Sequence, residues 1–282
     1  MPTRYEFEHG WWESALCAPH ESLRGIVQGP YVGWTQYTTV PVTRREVAGT
    51  IIPIILNLSS PYRIMSGHDD ATRSVVLHSF AAGLYDTWVA VEGARESQAL
   101  QVNLTPLGAR ALMAVPMHEL VNRVVAIDDL FGARASALIE RLLNAPSWRA
   151  RFVELDQFLC KRLANARPPS PHLLWAWDEL AHAHGTMPIA SLATSLGWSP
   201  KRLIAHFRDG VGLPPKTIAR LMRFDHLVQR VGAQPLVQWS TLAYDCGYSD
   251  QSHLHRDFVE FAGCTPVEFL RTRLPDGGGI VA

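Results

Sequence analysis

Between Tyr31 and about Val102 the apolar positions come in short runs of β-branched and aromatic residues, broken by proline, glycine and aspartate. Residues 37–43 (YTTVPVT), 50–58 (TIIPIILNL), 74–78 (SVVLH), 86–91 (DTWVAV) and 100–104 (LQVNL) all share this pattern. Such runs predict strands, and several of them at close spacing predict a sandwich or small barrel. Pro53 falls inside one run and has no amide hydrogen for a ladder, so a strand edge or bulge is expected there. Residues 1–30 have no clear period and read as irregular, aromatic-rich chain, with Trp11 and Trp12 packing on the β-rich stretch after them.

Past Val102 the period lengthens to that of a helix. Thr105 is suited to be an N-cap with Pro106 at the first helical position. Asp128-Asp-Leu-Phe-Gly leads into two further helices, at about 133–144 and 147–164. The second carries Trp148, Phe152, Leu155, Leu159 and Leu163 at spacings of three and four. Arg167-Pro-Pro-Ser-Pro then interrupts the pattern, because closely spaced prolines cannot continue a helix and favour an extended spacer. We place the domain boundary there, giving a β-rich unit over 1–166 and a second unit over 167–282.

The second unit is helical throughout and contains a repeat. Leu242 and Ala243 form the apolar side of a short helix that Cys246-Gly247-Tyr248 ends, and Gly247 suits a tight turn. Ser249 or Asp250 can cap the next helix, on which Leu254, Phe258 and Phe261 face inward. Gln251, Ser252, His255 and Arg256 fall on its other face, near the leading end. A short helix, a glycine turn and a helix with a polar leading end make a helix-turn-helix shaped for a DNA groove. Ala193, Gly197, Trp198, Ser199, Leu203 and Phe207 repeat the unit upstream, and residues 215–231 between the copies have the apolar stripe of a helix. At 1.5 Å per residue that connecting helix spans roughly 24 Å. With the width of the flanking helices, the two reading helices come to lie about one duplex turn, ~34 Å, apart.

The order A-x-x-x-G-Y-S-D-Q-S-H-L-x-R-D-F over residues 243–258, succeeded by G-x-T-P-x-E-F over 263–269, resembles the second helix-turn-helix of AraC-type transcriptional regulators. The tandem arrangement extends this resemblance to 171–273. More loosely, strands and then helices resemble the cupin-like sensor half of many such regulators, and residues 104–132 are similar to the joining region in one subgroup of them. The resemblance implies an α+β chain of two domains. The first is a β-rich, cupin-like sensor or oligomerisation domain with trailing helices. The second is an all-α domain with two helix-turn-helix units joined by a linker helix. It also implies a cytoplasmic activator or repressor with no catalytic role and no cofactor. Its expected partners are double-stranded DNA, a small-molecule effector, a second copy as a homodimer and, for an activator, RNA polymerase.

The candidate DNA-contacting residues are Lys201, Arg202, His206 and Arg208 on the first reading helix, and Gln251, Ser252, His255 and Arg256 on the second. Gln251 can pair with an adenine edge and Arg256 with guanine O6 and N7. The first helix presents Lys201, Ile204 and Ala205 on the corresponding face, where the family commonly has an arginine at the position of Ala205. Arg220, Arg223 and Arg230 on the linker helix read equally as phosphate contacts or as solvated charge.

Charge adds a constraint. The chain has 26 Lys and Arg against 26 Asp and Glu, so no global positive field draws it to nucleic acid, and non-specific binding is expected to be weak. Cys17, Cys160, Cys246 and Cys264 are scattered and read as reduced, buried thiols. No apolar run reaches the ~18 residues of a membrane helix. The alternative function is a small-molecule-binding protein or cupin-type enzyme with a degenerate DNA-binding tail. It needs converging catalytic or metal-binding groups in the first half. His68, His78 and His118 stand alone there, without the alternating histidines and carboxylate of a cupin metal site, and His78 reads as a core or edge residue. Glu92 and Arg63 are weighed as pocket-lining residues. The histidine pairs His182/His184 and His253/His255 are spaced to point to different sides of a helix, against metal binding.

Overall fold

The computed structural model describes residues 2–7, 9–66, 74–233, 238–273 and 279–281. Two sheets fill the first half. One runs in the order β1 (Thr3–Phe7), β2 (Gly10–Cys17), β3 (Tyr31–Thr38), β10 (Glu96–Leu104), β5 (Ile52–Asn57), β8 (Phe80–Ala82) and β11 (Val124–Ala126). The other runs β12 (Ile280–Val281), β4 (Val42–Glu46), β9 (Val89–Gly93), β6 (Tyr62–Ser66) and β7 (Ser74–Leu77). All described strand pairs are antiparallel.

Alternation along β5 and β10 explains their apolar runs. Ile55 and Ala99 join Tyr62, Ile64, Phe80 and Val89 in the layer between the sheets. Ile54, Leu56, Leu100, Val102 and Leu104 face the other way, toward the helices. A strand covered on both faces reads as continuously hydrophobic. Helix α4 (Trp148–Leu163) lies on that outer face, where Phe152 stacks on Tyr31 and Trp148 occupies the space beside Gly33. A Cβ at Gly33 would sit 2.4 Å from the Trp148 ring, so only glycine permits this approach. The Tyr31 hydroxyl donates to Asp156 at 2.7 Å.

Several expectations change. Residues 3–7 and 10–17 form a hairpin rather than irregular chain, with Trp11 opposite Tyr37 and Trp12 opposite Gln36 on β3. Pairing with β3 supplies the order that the sequence period lacks. Pro53 lies in an interior strand, opposite Asn103; its other side is free of ladder demands because the pairing with β8 involves Ile54 and Ile55. Arg63 and Glu92 are cross-strand partners, but Arg63 is exposed and neither belongs to the cleft lined by Trp11 and Tyr37. His78 and His118 are exposed, His78 being in neither core nor strand, and His68 lies outside the described residues. Cys246 and Cys264 are buried as expected, whereas Cys17 and Cys160 are half-buried.

Helices α1 (Pro106–Met113), α2 (Ile127–Phe131) and α3 (Ala133–Asn144) precede α4. The Thr105 hydroxyl accepts from the Gly108 amide at 3.0 Å and caps α1 as its sequence suggests. After the proline-rich segment come α5 (Pro171–His182), α6 (Ile189–Ser195), α7 (Pro200–Gly210), α8 (Pro215–Ala233), α9 (Trp239–Asp245), α10 (Gln251–Ala262) and α11 (Pro266–Thr272). One hydrophobic cluster runs from Leu100 and Leu112 through Leu173 and Phe207 to Phe224, Phe258 and Ile280, so the helical half packs on the β-rich half. No described helix is long and apolar enough to cross a membrane.

Candidate nucleic-acid interface

The pairs α6–α7 and α9–α10 are built on the same turn. Gly197 (φ 62°) and Gly247 (φ 77°) are left-handed, a conformation that costs a side-chain-bearing residue more than glycine. The next amide folds back identically in each, Trp198 to the Ala193 carbonyl and Tyr248 to the Ala243 carbonyl, both at 2.9 Å. Ser199 then caps α7, accepting from the Arg202 amide at 3.2 Å, and Asp250 caps α10, accepting from the His253 amide at 2.7 Å. The His253 amide and the Ser249 hydroxyl hold the Asp250 carboxyl below its ordinary range. A negative charge at that end also suits the helix dipole.

The inward face of α10 is fully buried at Leu254, Phe258 and Phe261, with Phe258 edge-on to Phe224 and Trp239. Gln251, Ser252 and Arg256 are exposed and His255 is half-buried. They pair along the helix surface: the Gln251 amide meets the His255 ring at 3.4 Å, and Arg256 Nε donates to the Ser252 carbonyl at 3.4 Å. These long contacts leave both side chains free to exchange partners.

On α7, Lys201, Arg202, Ile204, Ala205 and Arg208 are exposed. His206 stacks on the Trp198 ring with centroids 4.4 Å apart, and the Arg202 guanidinium lies 4.8 Å from that ring. Trp198 thus pre-orders two of the four candidate residues of this helix. His253 packs edge-on against Tyr248, and His184 stacks on His226 at 3.9 Å. Burial, His184 and Arg230 hold the His226 ring below its usual pKa. No group of three or more potential metal ligands gathers among the described residues.

One of the linker-helix arginines has a role that is neither phosphate contact nor solvated charge. Arg220 bridges Asp257 (2.6 Å) and Glu260 (2.7 Å) on α10, and its guanidinium lies over Phe261. Arg230 pairs with Asp245 of α9 at 3.1 Å. The Arg220 charge is committed internally, fixing the second helix-turn-helix to α8, whereas Arg230 and Asp245 are both more than a third exposed and such a pair holds little. Arg223 lies over the Tyr248 ring at 5.8 Å, on the same side of the linker helix. Asp257 is 1% exposed, a buried acid that shares the inward face with Leu254 and Phe261, three residues before it and four after.

In the β-rich half, a cleft of about 570 Å³ is lined by Trp11, Thr35, Tyr37, Ser59, Glu96 and Gln98, among others. Nearby, Gln36 accepts from Arg44 at 3.1 Å, and the Tyr62 and Ser97 hydroxyls share a short hydrogen bond.

Comparison with known proteins places this geometry. The chain matches a family model described as a helix-turn-helix domain over residues 192–272. No curated protein gives a significant match. Among solved structures, ToxT from Vibrio cholerae O395 is 10% identical, with 82% of this chain and 96% of that chain covered at a TM-score of 0.45. ToxT from another Vibrio cholerae strain, bound to an unsaturated fatty acid, is 10% identical, with 95% and 97% covered at a TM-score of 0.47. Oxalate decarboxylase from Lactobacillus farciminis, in a formate complex, is 11% identical over 37% of this chain and 30% of that chain, at a TM-score of 0.23. With its two matching turns, its capped reading helices and the family model spanning both, the chain carries over residues 192–272 a tandem helix-turn-helix domain of the AraC type.

Proposed function

We propose that the protein is a sequence-specific DNA-binding transcriptional regulator. The observation that carries this reading is the repeated turn, which leaves the leading ends of α7 and α10 uncovered and polar while Leu203 and Phe207, and Leu254, Phe258 and Phe261, turn their other faces into the core. In this reading α10 enters a major groove, with Gln251 and Arg256 on base edges and Ser252 and His255 nearby. Helix α7 enters the next groove face, with Lys201, Arg202, His206 and Arg208 mostly on phosphates. The 19 residues of α8 set a length of ~28 Å between the units, compatible with one duplex turn.

The β-rich half, residues 1–166, is the part we assign to control, and residues 167–282 the part we assign to DNA. A small-molecule effector fits that scheme, and the cleft beside Trp11 and Tyr37 offers it aromatic surface together with Thr35 and Gln98 as hydrogen-bonding groups. The fatty acid carried by one ToxT structure suggests the kind of ligand to include in a screen. We place the protein in the cytoplasm with its DNA, as an activator or repressor, with a second copy and RNA polymerase as further partners. We assign it no enzymatic activity. The test is selection of binding sites from genomic fragments by the full-length protein, with and without metabolite panels. Failure to enrich any sequence would refute the reading.

A further inference from the structure

The last carbonyls of a helix have no partner within it. At α10 several of them find partners in the β-rich half. The Thr87 hydroxyl donates to the Glu260 carbonyl at 3.1 Å, the Ala48 amide to Phe261 at 2.8 Å, and the Arg45 guanidinium to Gly263 at 2.7 Å. Arg45 also lies over the Trp88 ring at 4.6 Å. Trp88 in turn lies against Gly263, where a Cβ would come within 2.4 Å of the indole nitrogen. A cation beside the C-terminus of a helix is further favoured by the helix dipole. Strand β4, which carries Arg45, is held on one side by β9 and on the other by β12.

The free end of α10 is the one assigned to DNA. The helix has 12 residues, which makes it a lever ~18 Å long. A tilt of roughly 10° about its anchored end moves the other end by about 3 Å, whereas a working site tolerates only ~0.5 Å of misplacement. Helix α7 meets the first half differently: its trailing end packs near Leu107, and its one described polar link, Arg110 to Asp209 at 3.5 Å, is between substantially exposed side chains and holds little.

We propose that Arg45 is a positioning residue for DNA recognition. By completing the C-terminal cap of α10 from the other half of the chain, it sets the angle at which Gln251 and Arg256 meet the bases. Any change in the β-rich half that shifts β4 against Trp88 then alters readout by α10 more than readout by α7. The proposal rests on the assignment of Gln251 and Arg256 to base contacts.

The test uses full-length wild type, Arg45→Ala and Arg45→Lys, each bound to a library of single-base-pair changes in the selected site. The profiles of Arg256→Ala and Lys201→Ala mark which base pairs belong to each reading helix. Coupling between sites is commonly about 5- to 150-fold, and for Arg45→Ala we expect about tenfold, falling on the base pairs that Arg256→Ala flattens. Arg45→Lys should recover part of it, since it keeps the charge but not the fork. If Arg45→Ala does not fold by circular dichroism, the Arg45→Lys profile decides, and its loss must fall on the same base pairs. A uniform loss over all positions, or none, in a selective protein would overturn the proposal alone. A wild type that selects no sequence would remove the functional reading along with it.

Discussion

One carboxylate oxygen of Asp225, on the linker helix, accepts both the amide and the hydroxyl of Thr50 in the β-rich half, at 3.1 and 2.6 Å. Burial pushes this carboxyl up to about 6, and the two Thr50 bonds oppose the shift without cancelling it. Because the folded value lies above the unfolded one, the stabilising contribution is complete below the ordinary value of 3.8 and is lost as pH rises through about 6. At neutral pH the ionised form is therefore held at a cost of at most ~3 kcal/mol. Asp225→Asn keeps an oxygen for Thr50 and removes the charge. It should raise the melting temperature at pH 7.5 and change it little near pH 4. A variant less stable at both would refute this account of the contact.

Arg220 is the single cation facing both Asp257 and Glu260 in the described bridge. Its removal leaves a carboxylate with 1% exposure uncompensated, and breaking a buried pair in this way commonly costs ~3 kcal/mol or more. Arg220→Ala should lower the denaturant midpoint without changing the slope. Arg220→Lys should be intermediate, because one ammonium cannot reproduce the forked contact.

The two turn glycines should differ in tolerance. A Cβ at Gly197 meets nothing within 4 Å, so Gly197→Ala should cost only the left-handed strain, ~1–2 kcal/mol. A Cβ at Gly247 would sit 2.5 Å from the Thr186 methyl, so Gly247→Ala should cost clearly more. Thermal unfolding of the two variants side by side tests the order.

Division of labour between the reading helices comes from their exposed groups. Gln251 and Arg256 can each make two hydrogen bonds to one base, discriminating by ~1–3 kcal/mol, whereas Ile204 and Ala205 have no polar side-chain atoms. Arg256→Ala should flatten preference at one or two base pairs, and Lys201→Ala should weaken all sites about equally. The reverse pattern in a binding library would reverse the assignment.

Salt dependence should be shallow. With Arg220 committed to an internal bridge and Arg230 paired with Asp245, the cations left for the backbone are reduced, and each phosphate contact contributes about −0.9 to the slope of log K against log salt. A slope near −10 for one protomer would mean that those arginines leave their partners on binding.

Local signals made the helical half legible. Glycine turns, caps and inward apolar positions are set within a few residues of each other, so Gly247, Asp250, Leu254 and Phe258 could be placed from sequence. Several strands between 31 and 104 were readable for the same reason, but the run at 37–43 straddles the turn between β3 and β4, and β6 and β8 matched no run read from the sequence. Long-range partnerships were not: Trp11 and Trp12 belong to a hairpin because β3 is there to pair with it. Arg220 looks like a surface charge until Asp257 is brought beneath it. The polar faces of α7 and α10 were visible in the sequence, but the groups that cap α10 come from residues 45–48 and 87, far away in the chain. No local period encodes such a meeting.

Strand β12 completes the second sheet by pairing Ile280 with Arg45 and Val281 with Arg44. The edge of β4 is therefore covered by residues synthesised long after β4 itself. While the chain is being made on the ribosome, that edge has unfilled backbone donors and acceptors open to unwanted strand pairing. Until residues 280–281 emerge, Arg44 and Arg45 have no strand on that side. A chain cut between residues 273 and 279 would lose this pairing and leave that stretch of β4 as an open edge, able to add a strand from another chain.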